Sequence, residues 1–104
     1  MNMKYIITEN RLDNFMMSYL DTLLESKDIR MLDSFIVISE KVFADEEEWW
    51  HIIEFDKIDG RLWLSEKFVR NFEDLFGRGR EETIKIITKW FENKFNVESE
   101  YQET

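Results

Sequence analysis

Residues 49–64, Trp49-Trp50-His51-Ile52-Ile53-Glu54-Phe55-Asp56-Lys57-Ile58-Asp59-Gly60-Arg61-Leu62-Trp63-Leu64, decide how the chain folds. An aromatic and β-branched run leads into Asp59-Gly60 and a second run leads out of it. Asp-Gly supplies the positive φ angles of a two-residue type I′ turn, so the stretch predicts a hairpin with strands over 49–56 and 61–64. Such a turn pairs Ile58 with Arg61, Lys57 with Leu62 and Phe55 with Leu64. One face of the hairpin then collects Trp49, His51, Ile53, Phe55, Leu62 and Leu64, and the other collects Trp50, Ile52, Glu54, Asp56 and Trp63. The first set is the better core face, because a slip of one residue would invert it. Trp50 and Trp63 are thereby expected together on the more polar face.

Working outward, Phe35 to Ile38, continued by Val42 and Phe43, reads as the strand before the hairpin, with Asp45 to Glu48 as an acidic turn between them. Ser26 to Arg30 is polar and reads as a loop. Further upstream, Leu12, Phe15, Met16, Tyr19, Leu20, Leu23 and Leu24 recur at helical spacing and predict an amphipathic helix over about Glu9 to Glu25. Thr8 fits its N-cap, and Lys4 to Ile7 reads as a short strand. Downstream, Ser65 caps a helix that runs to Phe76 and stops at Gly77. Arg78-Gly79-Arg80 makes a turn, and a last helix runs from Glu81 to about Phe95 with Ile84, Ile87, Trp90 and Phe91 inward. Val97, Ser99 and Tyr101 alternate, which fits either a short final strand or a frayed end. Strands run together and helices stand apart. The expectation is a single α+β domain over 1–104: an antiparallel three- to four-stranded sheet with an N-terminal helix and two C-terminal helices packed on one face.

Composition narrows the function classes. The 104 residues include no cysteine, which excludes disulfides, thiolate metal sites and cysteine nucleophiles. His51 is the lone histidine, so no histidine pair exists for a metal. No signal peptide and no membrane-spanning run is visible, and a soluble, cytoplasmic protein is expected. The net charge is −9, which disfavours direct binding to nucleic acid. Residues 1–66 carry a net −8, residues 67–94 a net +2, and the tail adds three glutamates. A field of this sign steers a protein toward basic partners.

The opening Met3-Lys4-Tyr5-Ile6-Ile7-Thr8-Glu9, the hairpin return Gly60-Arg61-Leu62-Trp63-Leu64-Ser65, and Asp74-Leu75-Phe76-Gly77 before the Trp90 helix resemble a group of small, uncharacterised acidic proteins of tailed phages and marine viral metagenomes. The group carries no known function, so the resemblance implies a viral or mobile-element protein and assigns no site residue.

No nucleophile-elbow serine and no phosphate-cradling glycine loop is present, so no catalytic residue, metal ligand or cofactor is assigned. His51 reads as a partly buried packing residue. Arg78, Arg80, Lys85 and Lys89 form the one basic region; Glu81 and Glu82 in the first turn of the last helix would repel an anion there, so it reads as ordinary charge balance. The candidate binding residues are Asp45, Glu46, Glu47 and Glu48, with Asp13 and Asp21 of the first helix and the aromatic anchors Trp50 and Trp63. Acids beside exposed tryptophan suit an interface, since tryptophan is a typical hot-spot residue. The expected function is a non-enzymatic acidic binding protein: with the viral resemblance, a nucleic-acid mimic that inhibits a host DNA- or RNA-handling enzyme. The alternative is a self-associating structural or virion assembly protein, a homo-oligomer joined through the Trp50, Ile52 and Trp63 face. An enzyme would require His51 in a pocket with carboxylates.

Overall fold

The structure, a computed structural model, describes residues 3–41 and 49–102, with side chains described for 11–40 and 51–102. In chain order the elements are α1 (Met3–Glu25), β1 (Asp28–Met31), β2 (Phe35–Lys41), β3 (Trp49–Asp56), β4 (Arg61–Leu64), α2 (Glu66–Phe76), α3 (Arg80–Phe95) and β5 (Glu100–Tyr101). The five strands form one sheet in the order β1-β2-β3-β4-β5. The first four are antiparallel neighbours and β5 runs parallel to β4, with α2 and α3 making the crossover between them. The α+β reading holds, with two refinements: the sheet has five strands rather than three or four, and it is mixed.

The helices pack on one face of the sheet. Met16, Leu20 and Leu24 of α1, Phe68, Val69 and Phe72 of α2, and Ile86, Ile87, Trp90 and Phe91 of α3 close over Ile36, Ile38, Ile53, Phe55, Leu62 and Leu64. Phe91 lies at the centre, fully buried, with its ring 5.3 Å from Phe55 and 4.6 Å from Phe95. Ile84, expected inward on α3, is only partly buried, and Ile86 takes the deeper position. The Trp90 indole N–H donates to Asp21 Oδ1 at 2.7 Å, so the one polar atom of a buried tryptophan is satisfied from α1.

Three expectations are corrected. Lys4 to Ile7 is not a strand, and Thr8 is not an N-cap, because α1 already starts at Met3. No proline or glycine interrupts residues 3–25, and extending an existing helix adds a hydrogen bond for each residue ordered, whereas a strand needs an open sheet edge. Residues 28–31 are a strand rather than a loop, paired with β2 from Asp28↔Ser39 to Met31↔Ile36. The hairpin loop has four residues, not two. Asp56 faces Arg61, and Gly60 N–H donates to the Asp56 carbonyl at 2.8 Å. The Asp56 carboxylate accepts from the Ile58 and Asp59 N–H groups at 2.8 and 3.2 Å, which builds the turn, and only Gly60 takes a positive φ, 72°. Phe55 therefore pairs with Leu62 instead of Leu64. A shift of two residues keeps every side chain on its face, so the core assignment of Phe55, Leu62 and Leu64 survives.

The helix boundaries follow their caps. Ser65 Oγ accepts from the Phe68 N–H at 3.4 Å, and Gly77 closes α2 at φ 64° with its N–H on the Glu73 carbonyl. A Cβ at Gly77 would meet no atom within 4 Å, so a side chain there costs backbone conformation alone. Gly77→Ala is expected to lose about 1–2 kcal/mol, the price of a left-handed alanine, measured by urea denaturation. Between the two helices, Arg80 Nη1 donates to Glu66 Oε1 at 2.6 Å. This hydrogen bond, with the nearby Arg80 and Arg70 charges, holds the Glu66 carboxyl below its ordinary value of 4.5. A depressed carboxyl stabilises the fold above its unfolded pKa and loses that contribution as pH falls through the folded value. Glu66→Gln should therefore flatten the acid limb of the stability–pH curve below about pH 4.5 and leave its alkaline limb unchanged.

Candidate binding site on the open sheet face

The face opposite the helices is organised by one irregularity. Ile38 pairs with Ile53, but Ser39 pairs with His51, so Ile52 is an extra residue in β3: a β-bulge. Alternation breaks there. Ile52 and Ile53 are both buried, at 3% and 0% exposure, although they are neighbours in a strand. His51 moves to the face carrying Ser39, Val37 and Glu54. This corrects two expectations at once: His51 is not a core-facing packing residue but about half exposed, and Ile52 is not on the polar face.

The bulge has a chemical consequence. Residues three apart in a regular strand point to opposite sides. Here His51 and Glu54 share a side, and His51 Nδ1 hydrogen-bonds Glu54 Oε1. An ionised carboxylate only accepts, so Nδ1 is the donor in this contact. Across the ladder Glu54 pairs with Trp63, and Phe35 and Ser65 complete the wall of a concavity of about 330 Å³. Its materials are two aromatic rings, a carboxylate and an imidazole. Ser65 Oγ caps α2 by accepting from the Phe68 N–H. His51 thus lies in a pocket with a carboxylate, the condition set above for an enzyme and half of a general-base arrangement; among the described residues no group of three or more His, Cys, Asp or Glu that could hold a metal accompanies it. The arrangement is suited to recognition: aromatic surface for apolar contact and cation–π stacking, beside a carboxylate for a cationic head.

Of the residues singled out in the sequence, Trp63 lies in this concavity, half-buried. Asp45, Glu46, Glu47 and Glu48 lie outside the described residues. Trp50 is in β3 opposite Glu40, and the bulge puts its backbone position out of phase with Trp63; its side chain is outside the described residues. Asp13 lies on α1 with Oδ1 3.6 Å from Arg78 Nη2. Asp21 is the acceptor for the Trp90 indole. Neither is on the Trp63 face. Arg78 pairs with Glu82 and Arg80 with Glu66, in keeping with the charge balance expected of the basic region.

Sequence reasoning missed Phe35, His51 and Glu54 as site residues. The signal was His51-Ile52-Ile53-Glu54 itself, where two adjacent isoleucines between polar residues violate strand alternation. It also missed an aromatic seam. Phe15, Tyr19 and Leu75 are exposed at 63%, 36% and 56%, with Phe15 6.0 Å and Tyr19 5.4 Å from the Phe76 ring. Beside it, Tyr19, Leu23, Phe68, Phe72 and Leu75 line a groove of about 280 Å³ between α1 and α2, closed at one end by the Lys27–Glu40 ion pair at 2.8 Å.

No family model, curated protein or solved structure matches this chain. Among the described residues no helix is long and apolar enough to cross a membrane.

Proposed function

We propose that the protein is a non-enzymatic acidic binding protein that docks a basic protein partner on the open sheet face, with Trp63 as its anchor. The observation that carries this reading is the concavity in which Trp63 and Phe35 stand beside the Glu54 carboxylate on the side of the sheet away from the helices. An arginine or lysine of the partner stacks on the aromatic surface and pairs with Glu54, the two contacts that such a pocket offers together. The net charge of −9 raises the encounter rate, and the aromatic anchor governs dissociation. The viral resemblance makes a host DNA- or RNA-handling enzyme the partner class, its nucleic-acid groove occupied by carboxylates in place of phosphates.

The test is affinity capture from bacterial lysate with three baits: the wild type, Trp63→Ala, and a chain with residues 45–48 changed to Asn and Gln. The partner is identified by mass spectrometry and its affinity then measured with purified protein. One basic nucleic-acid-handling protein, bound more weakly at high salt and lost with Trp63→Ala, supports the reading. Truncating a hot-spot tryptophan costs about 2 kcal/mol or more, roughly 30-fold in Kd. Trp63→Ala bait that keeps its circular dichroism and still captures the same protein at the same affinity removes Trp63 from the interface. Loss of binding only in the 45–48 chain moves the site to that turn.

A further inference from the structure

Among the described residues the sheet ends at β1, and its edge carries a pattern that is complementary to itself. Leu32 N–H donates to the Phe35 carbonyl at 2.8 Å, which makes 32/35 a hydrogen-bonded pair. Alternation along an antiparallel ladder then directs the backbone groups of Arg30 and Asp28 to β2, and those of Ile29 and Met31 away from it. Asp28 and Arg30 stand two residues apart on the open face, opposite Ser39 and Val37, and pair with each other at 2.7 Å.

We infer that a second copy of this chain adds to β1 as an antiparallel strand, with a two-fold axis at Ile29. In this register Ile29 faces Ile29 of the other copy and the two exchange both backbone hydrogen bonds. Asp28 faces Arg30 on each side of the axis, giving two reciprocal cross-strand ion pairs. Met31, 61% exposed, meets the aliphatic stem of Lys27. The competing register, with the axis at Arg30, also satisfies the outward groups of Ile29 and Met31, but sets Arg30 against Arg30. Like charges directly opposite are destabilising, so charge selects the first register. The operation is an isologous contact that closes at the dimer. It extends the five-stranded sheet into one double its width and keeps the open faces on the same side, so both Trp63 concavities look the same way. This inference goes beyond the proposed docking function and does not depend on it.

Sedimentation equilibrium of the full chain, from about 1 to about 500 µM, tests it. A monomer–dimer equilibrium is expected. Asp28→Arg or Arg30→Asp alone places like charges opposite each other twice and should weaken the dimer about tenfold or more. The double exchange D28R/R30D reverses both pairs and should restore the wild-type dissociation constant. Met31→Pro removes an outward N–H that the monomer does not use, and should give a monomer whose circular dichroism is unchanged. A monomer throughout the concentration range overturns the inference, and its charged edge is then only a guard against pairing. A dimer indifferent to these variants overturns the assignment to β1. A dimer that the double exchange fails to restore overturns the register.

Discussion

Phe91→Ala is expected to lose about 3–5 kcal/mol, the range for truncating a core phenylalanine. Phe91 is fully buried and joins the sheet to the third helix, through Phe55 on one side and Phe95 on the other. The cavity it leaves lies between a sheet and a helix whose backbones are each fixed by their own hydrogen bonds, so little collapse can refill it. A domain of this size has about 5–15 kcal/mol in total, so the variant stands at the edge of unfolding. At about 4 °C or more per kcal/mol, its melting temperature should fall by at least about 12 °C. Leu75→Ala is the matched control, since Leu75 is 56% exposed and belongs to the same helix layer; it should change stability by about 0.5 kcal/mol or less. Calorimetry on the two variants measures the contrast.

Deleting Ile52 is expected to cost about as much as truncating it. Ile52→Ala removes a side chain that is 3% exposed and should cost about 2–5 kcal/mol while keeping the bulge. Deletion takes the same side chain and also the extra residue. Because Ile52 is the extra residue, its removal lets His51 and Ile53 follow one another opposite Ser39 and Ile38, so the ladder becomes regular and His51 stays on the side of Ser39 and Glu54. The deletion should therefore cost about as much as the alanine variant, about 2–5 kcal/mol, since both lose the same buried side chain. Urea denaturation gives the difference. A deletion that loses several kcal/mol more than the alanine variant would mean that the fold requires the bulge itself.

These two residues also show where the sequence was legible. The β3 and β4 limits, the Ser65 cap and the Gly77 stop could be read from the chain because each rests on local chemistry: alternation, a side-chain acceptor and a left-handed glycine. The strand at 28–31 could not, because four mixed residues have no period to read, and they are extended only because β2 pairs with them. Its turn, Asp33-Ser34, has none of the Gly-based chemistry that marked the hairpin at 57–60. The register of that second hairpin was missed because Asp59-Gly60 permits a two-residue turn, while the Asp56 carboxylate, binding two N–H groups ahead of it, closes a longer loop.

The helix stripes were legible in position but not in depth. In α1 the apolar residues form two adjacent columns. Met16, Leu20 and Leu24 are fully buried, whereas Phe15 and Tyr19, one residue earlier, rest on the α2 rings at the surface. A stripe two columns wide exceeds what one sheet face can cover, and that width was the available sign of the seam. The site was half legible for a related reason. Trp63 was found from its alternation in a regular strand. His51 and Glu54 were brought together by the residue that breaks alternation between them, which periodicity places on opposite faces.

The most direct test of the account follows the tryptophan indole N–H resonances of the ¹⁵N-labelled chain while the partner from the capture experiment is added. The chain has four tryptophans, and the Trp90 indole, buried and bonded to Asp21, is an internal reference. The account predicts that the Trp63 resonance shifts or broadens in proportion to the bound fraction while the Trp90 resonance stays in place. A partner that binds and leaves the Trp63 resonance where it was would contradict docking on the open sheet face.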